Sequence, residues 1–372
     1  MKMIPSTKPY FDKRQTKFIT SAQKEIFKSG RLILGPYTKM FEEKFAKYTG
    51  TKFAIATSSC SSALEICLRF LNVKNREVIV PTNTFVASAN TVIFAGCKPV
   101  LADINRESLC LDVNDFKKKI SKNTKAVIVV HIAGLIHPQI KSIKNICEKL
   151  NILLIEDVAH ALGSSIDKQK AGSIGNAGCF SFYPTKIITT GTGGMITTND
   201  GQLARYAISL RHHGAGKGLE DIQRLGNDWL MSEIAASLGI AQLKEIERFI
   251  SIRRRLAGIY DRKMKEFNIN RLQNFPESHH VYYKYPIILK TEETRNKLKA
   301  ILKNQYGIET GSIYFPSVHQ MPLYKKMYDF KKSDFVVADS VLPRVLSLPI
   351  FVSMTKTQQD YVINSLKKAL NQ

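Results

Sequence analysis

"CFSFYPTKIITTGTGGMITTND", Cys179 to Asp200, decides the reading of this chain. One lysine, Lys186, stands in a turn of small and hydroxyl residues between two apolar, strand-like segments, with glycines directly after it. On an open surface such a lysine is ordinary solubilising decoration. Here its aromatic and small neighbours are expected to desolvate the amine and favour the neutral form that attacks a carbonyl. The segment therefore reads as a display for a lysine that forms an imine with an aldehyde.

Outward from that segment, short apolar runs alternate with helical patterns. "FAIAT" leads into a helix near Ser59 and "EVIVP" into one from Phe85, while "KPVLAD", "KAVIVVHIAG" and "ILLIEDVA" close three further units. Strands apolar on both faces and separated by helices predict an α/β fold, a mostly parallel sheet flanked by helices. Beyond it, a charged helical stretch from Met231 to about Phe267 precedes the strand-like "VYYKYPIIL" and two more helical patterns, as in a smaller C-terminal α+β domain. The expected division is a large domain over 1–250 and a small one over 251–372, with the N-terminal segment packed on the small domain.

The 372 residues carry 55 basic and 31 acidic side chains, a net charge of +24. Such a surplus suits nucleic acid, an acidic membrane or a phosphorylated small molecule. The lysines are dispersed, however, in short groups such as "KKK" at 117–119 and "RRR" at 253–255, without a basic tail. A solvated basic surface is expected rather than a nucleic-acid footprint. No apolar run approaches bilayer length, and "MKMIPSTKPYFDKRQTK" lacks the apolar core of a signal peptide, so a cytoplasmic protein with no membrane partner is expected. The six cysteines form neither a CxxC pair nor a cysteine–histidine cluster at zinc spacing; reduced, mostly core thiols and no metal are expected.

"IEDVAHALGS" puts Asp157 at the carboxyl end of the fifth strand, where open α/β sheets bind ligands. It either caps the next helix or faces the ring nitrogen of a pyridine cofactor. With Lys186 downstream, the pair points to pyridoxal 5′-phosphate, whose aldehyde is carried on a lysine while a carboxylate keeps the ring nitrogen protonated. His160 lies over that ring, touches its 3-hydroxyl side, or is a satisfied core histidine. In "ATSSCSSALEICLRFL" a turn of small hydroxyl residues opens an amphipathic helix, whose N-terminal N–H groups and dipole favour an anion. Ser181 and the backbone of Cys60 and Ser61 are the phosphate candidates, an ordinary serine cap being the alternative. Phe85, in "PTNTFVASAN", either stacks on the pyridine face or joins the core.

Together these segments resemble the fold-type I pyridoxal phosphate enzymes, and among them the DegT/DnrJ/EryC1/StrS family of aminotransferases that act on nucleotide-linked keto sugars. The resemblance runs along nearly the whole chain. It starts at "LGPYTKMFEEKFAKYTGTKFAIATSSCSSAL", peaks at "AGCFSFYPTKIITTGTGGMITTND" and weakens through "NDWLMSEIAASLGIAQL", "IYFPSVHQMPLY" and "LSLPI". It implies Lys186 as the Schiff-base lysine, Asp157 on the pyridinium, Phe85 stacked on the ring, and Ser181 with the Cys60–Ser61 turn on the phosphate. His160 stands where many relatives have glutamine. The resemblance also implies a homodimer with active sites at the interface, where an asparagine reaches the partner's phosphate. That position here holds Asp228, beside Asn227; Leu230 replaces the usual arginine and Thr192 the glutamate of "TGEGG". An aspartate beside a phosphate is repulsive unless paired, which leaves the cross-subunit contact open between Asn227 and Asp228.

The activity so implied is ping-pong aminotransfer. L-Glutamate leaves its amine on the cofactor as pyridoxamine 5′-phosphate, and a nucleotide-linked keto sugar then takes it. The "EDVAHALG" form leans toward C4 of a 4-keto-6-deoxy sugar, with a 3-keto sugar as the alternative. Tyr314, His319 and Arg211 to His213 are candidate substrate contacts or packing residues. The amino sugar would feed a surface glycan or a glycosylated natural product. Lys186 argues against the family's dehydratase branch, in which histidine replaces the lysine. A lyase or decarboxylase on the same fold, or a non-catalytic regulatory or nucleic-acid-binding protein, are the remaining alternatives; the last requires neither Lys186 nor Asp157.

Overall fold

The computed structural model describes residues 3–71 and 75–372. In chain order the strands of its first part are β1 (Phe53–Thr57), β2 (Glu77–Pro81), β3 (Lys98–Ala102), β4 (Thr124–Val130), β5 (Leu153–Asp157), the short hairpin pair β6 (Ser165–Ile166) and β7 (Gln169–Lys170), then β8 (Ala177–Ser181) and β9 (Gly194–Thr198). Seven of them form one sheet in the order β1-β9-β8-β5-β4-β2-β3. All neighbours are parallel except β9, which runs antiparallel to β1 and β8. The carboxyl ends of β1, β2, β4, β5 and β8 therefore share one edge, which gathers the loops that begin at Ser58, Thr82, His131, Val158 and Phe182.

Helices cover both faces. On one lie α1 (Lys13–Ser29), α2 (Pro36–Thr49), α5 (Val113–Lys119), α6 (Ile140–Leu150) and α8 (Glu233–Lys244); on the other lie α3 (Cys60–Phe70), α4 (Val86–Phe94) and α7 (Gly201–Leu210). The period-2 alternation of β4 makes this division: Ala126, Ile128 and Val130 pack with α3 and α4, while Val127 and Val129 pack with α2 and α6. Glu233, at the start of α8, is fully buried and accepts the N–H groups of Gly35, Tyr37 and Thr38 at 2.7–3.0 Å, capping α2 from another element.

The helical stretch expected from Met231 to Phe267 is two helices. Glu245, at φ −103° and ψ 4°, separates α8 from α9 (Ile246–Glu266). The redirected α9 leaves the large core at Ile246, Phe249 and Ile250 and enters a third cluster at Leu256, Tyr260 and Met264. That cluster covers a second, antiparallel sheet, β10 (Asn270–Arg271), β12 (Tyr285–Ile288) and β13 (Val345–Leu348), flanked by α10 (Glu292–Asn304) and α11 (Lys356–Leu370); between β10 and β12 in sequence, β11 (Ser278–His279) pairs instead with β6. Ile4 is buried there as well, its N–H donating to Gly307.

Two expectations change. In "VYYKYPIIL" only Tyr285–Ile288 forms a strand. Val281 and Lys284 instead donate their N–H groups to the carbonyls of Gly134 and Ala133, with Tyr282 at φ +50°. The "RRR" group is not wholly surface: Arg253 is 2% exposed and donates to the carbonyls of Tyr282, Tyr283 and Ile350. All three bonds come from Nη1, while Nε is buried without a partner, so the guanidinium is only partly satisfied. Among the described residues, no helix is long and apolar enough to cross a membrane.

Candidate active site

The lysine turn follows β8. The Phe182 N–H bonds Gly193 O at 2.9 Å, and the Lys186 N–H bonds Tyr183 O at 3.0 Å, closing a four-residue turn whose second position is Pro184, where a fixed φ is favourable. Gly194 then starts β9. A Cβ there would lie 2.3 Å from the Ser59 carbonyl, so glycine is required for the turn before α3 to rest on this strand. Half-buried Lys186 places its Nζ 5.0 Å from the centre of the Tyr283 ring.

Asp157 is 5% exposed and both of its oxygens are held. Ser88 Oγ donates to Oδ2 at 2.8 Å, and the Ala159 N–H donates to Oδ1 at 3.1 Å. Because the Ser88 proton is committed, Thr84 Oγ1, 2.7 Å away, must be the donor to Ser88. Turns rather than a helix follow Asp157, so it is not a helix cap. Among the described residues no lysine, arginine or histidine pairs with it. A buried carboxylate of this kind calls for a cationic N–H partner.

His160, 3% exposed, accepts the Ala133 N–H at Nδ1 (3.3 Å); the ring proton is thereby assigned to Nε2, which donates to the Tyr314 hydroxyl at 2.7 Å. Burial, reinforced by the charges of Lys186 and Lys284, holds the imidazole well below its ordinary pKa and therefore neutral. Its ring lies 4.3 Å from Tyr283 and stacks on Tyr314 at 5.2 Å. Burial, followed by the charge of Asp157, pushes the Tyr314 phenol well up. Phe85, 59% exposed, tilts toward Tyr314 at 6.2 Å. Burial alone would raise the Tyr283 phenol; Lys186, Lys284 and a hydrogen bond with Thr185 outweigh it and bring it below its usual value.

The N-terminus of α3 faces the same place. Ser59 and Ser62 cap one another, while the N–H groups of Cys60 and Ser61 lie in the first turn, where helix geometry supplies no acceptor. Burial and the charge of Asp157 raise the Cys60 thiol well above its usual range while Lys186 opposes them, which places all three in one electrostatic neighbourhood. Ser181 Oγ, at the end of β8, accepts the Tyr183 N–H at 3.4 Å.

Other expected residues lie apart from this group. His319 is 6% exposed, with Nδ1 2.6 Å from Thr82 Oγ1, Nε2 2.9 Å from Asp339 and its ring stacked on Phe335. Both nitrogens are engaged within the chain, which favours the packing alternative for this residue over the substrate contact. Buried Arg211 likewise binds Glu42 and the Ala56 carbonyl. Exposed Asn227 and Asp228 bond locally, Asn227 Oδ1 accepting the Asp228 N–H at 2.9 Å, and neither contacts the Lys186 group within this chain. Thr84, Ser88, Tyr283 and Lys284 were not readable as site residues. Only the spacing of Ser88 one turn after Phe85 hinted at a role.

An amine, a buried carboxylate lacking a cation and a helix N-terminus with free N–H groups fit pyridoxal 5′-phosphate. The fold and this donor set define a fold-type I, pyridoxal-phosphate-dependent aminotransferase. The chain belongs to the DegT/DnrJ/EryC1/StrS aminotransferase family, whose model matches residues 13–367. It is 32% identical to the GDP-perosamine synthase of Vibrio cholerae over 373 residues, covering 99% of this chain and 100% of that protein. Among solved structures it resembles Helicobacter pylori PseC, an aminotransferase involved in the biosynthesis of pseudoaminic acid, with a TM-score of 0.91 and 27% identity over 100% of both chains. It also resembles the sugar aminotransferase candidate Spr1654 of Streptococcus pneumoniae in its PMP form, with a TM-score of 0.91 and 26% identity over 100% of this chain and 98% of that one. Spr1654 is known in a PLP form as well. The cofactor is pyridoxal 5′-phosphate, which passes through pyridoxamine 5′-phosphate during the cycle.

Proposed function

We propose that this enzyme aminates C4 of a nucleotide-linked 4-keto-6-deoxy sugar with L-glutamate as donor, as a cytoplasmic homodimer serving surface-glycan or natural-product sugar synthesis. The observation that carries the reading is the convergence of Lys186, Asp157 and the Tyr314–His160 pair at one sheet edge. The relatives support the substrate class: one is a GDP-perosamine synthase, another acts in pseudoaminic acid biosynthesis. The division into a large domain (1–250) and a small one (251–372) belongs to the same proposal and is supported by the separate C-terminal cluster.

The bound cofactor supplies an electron sink for the charge left when a substrate carbon loses its proton. The chain's own groups do the rest. Lys186 Nζ takes a proton from the donor carbon and returns one to the acceptor carbon. Asp157, fixed by Ser88 and Ala159, keeps a ring N–H protonated; the Cys60 and Ser61 N–H groups and Ser181 hold a phosphate; Phe85 covers a ring face. His160 stays neutral and orients Tyr314. Asn227 or Asp228 serves the partner's site.

The test is the visible spectrum of the purified protein before and after L-glutamate, without sugar. The cofactor band is expected to convert to the pyridoxamine form, and Lys186→Ala to abolish both the starting band and turnover. Addition of a 4-keto-6-deoxy nucleotide sugar should restore the starting band, with the new amine located at C4 by NMR. A band indifferent to glutamate refutes the donor; restoration only by a 3-keto sugar refutes the position.

A further inference from the structure

A second lysine stands behind the first. Lys284 Nζ lies 6.0 Å from the centre of the Tyr283 ring, whose centre is 5.0 Å from Lys186 Nζ. Lys284 donates to the Ser312 carbonyl at 2.6 Å, but among the described residues no carboxylate pairs with it. An ammonium has three donors, so at least one remains to be used. The amine borders a cavity of about 140 Å³ whose wall includes Ser6, Thr7, Thr185, Tyr283 and Ser347. Ser347 is 3% exposed and its Oγ has no hydrogen-bond partner, an unsatisfied buried hydroxyl that needs explaining. Gly311 also borders the space, and a Cβ there would come into van der Waals contact with Ser347 at 3.4 Å and Lys284 Nζ at 3.9 Å. Arg253, by holding the carbonyls of Tyr282 and Tyr283, fixes the backbone that presents Lys284.

We propose that this cavity binds a carboxylate of the amino donor, with Lys284 as the cation and Ser347 as an added donor. The inference rests on the reading that glutamate supplies the amine. Size and position choose the ligand. The space admits a carboxylate and a few methylenes but not a nucleotide diphosphate, and its wall is shared with Thr185 and Tyr283 next to the amine that must meet the donor's carbon. Burial, with the charge of Lys186 adding to it, lowers the Lys284 pKa, so an entering anion would relieve an uncompensated positive site.

The experiment is calorimetric titration of the holoenzyme with glutarate, a dicarboxylate that lacks the amine and cannot be turned over, beside a parallel titration with UDP. Lys284→Met should weaken glutarate binding at least about tenfold, Lys284→Arg should largely retain it, and Ser347→Ala should weaken it roughly two- to fivefold, with UDP unaffected throughout. The L-glutamate concentration for half-conversion of the cofactor band should rise in the same order. Equal glutarate affinity in Lys284→Met overturns the proposal, as does a matching loss of UDP binding, which would make the site a phosphate subsite. If glutamate leaves the wild-type band unchanged, the donor reading falls, and the glutarate series still decides the cavity. Ser347→Ala keeps the test valid should Lys284→Met fail to fold.

Discussion

The Tyr314 hydroxyl lies 2.7 Å from Nε2 of His160, and because Nδ1 of that ring already accepts the Ala133 N–H, the phenol oxygen is the acceptor of this bond. The phenol's own proton is left available to another partner. Burial and the Asp157 charge keep the phenol un-ionised, so it is a donor throughout the neutral pH range. Tyr314→Phe retains the stack on His160, removes that donor and leaves the buried His160 Nε2–H without its acceptor. We expect kcat to fall roughly tenfold or more, with cofactor affinity nearly unchanged. An unaltered kcat would reduce Tyr314 to a wall of the site.

Ser88 makes a second prediction, because it ties α4 to the carboxylate on β5. Ser88→Ala removes one donor to Asp157 and leaves the Thr84 hydroxyl without its acceptor, so cofactor affinity is expected to fall about tenfold. Asp157→Asn removes the charge itself and should lower the aminotransfer rate at least about a hundredfold. Equilibrium binding of pyridoxal phosphate and the position of its absorption band are the readouts. A variant with normal band and normal rate would show that this carboxylate does not face the ring.

What the sequence discloses and what it hides divide by locality. Lys186, Asp157 and the Cys60–Ser61 turn are each announced by a contiguous pattern, a strand followed by small residues, and strand order does the rest. Ser88 meets Asp157 across 69 residues and Glu233 meets Gly35 across 198, so neither pairing has a local signature. Arg253 misled for a different reason. A basic residue in a basic run reads as exposed, and only tertiary contacts show that its Nη1 reaches three buried carbonyls. "VYYKYPIIL" has strand propensity throughout, but the loop after β4 captures the N–H groups of Val281 and Lys284 first.

Buried histidines give the protein an acid limit. Burial lowers His137 to about 4 and His280 to about 3, from an ordinary 6.5. Both are nearly inaccessible, at 1% and 2% exposure. A folded-state pKa below the unfolded one means that the unfolded chain binds more protons in the interval, so stability rises with pH there and is lost as pH falls below about 6.5. Each histidine contributes about 1.4 kcal/mol per pH unit, so the pair should remove roughly 3 kcal/mol between pH 7.5 and 5.5. His160 acts in the same direction. Urea unfolding at the two pH values measures the difference, and equal midpoints would contradict it.

Glu233 tests the cap that joins the ends of the large domain. Its carboxylate receives three backbone N–H groups at the start of α2 and also the Thr38 hydroxyl. Glu233→Ala strands these donors, those of Gly35 and Thr38 being buried, and a loss of about 3–5 kcal/mol is expected. Glu233→Gln keeps one acceptor oxygen and should cost less. Gly35 supplies an independent check: a Cβ there would lie 2.5 Å from Glu233 Oε2, so Gly35→Ala must displace the same carboxylate. If the cap is the common cause, the two alanine changes should be clearly less than additive in thermal and urea unfolding. Additive losses would mean that the glycine and the glutamate stabilise the fold separately.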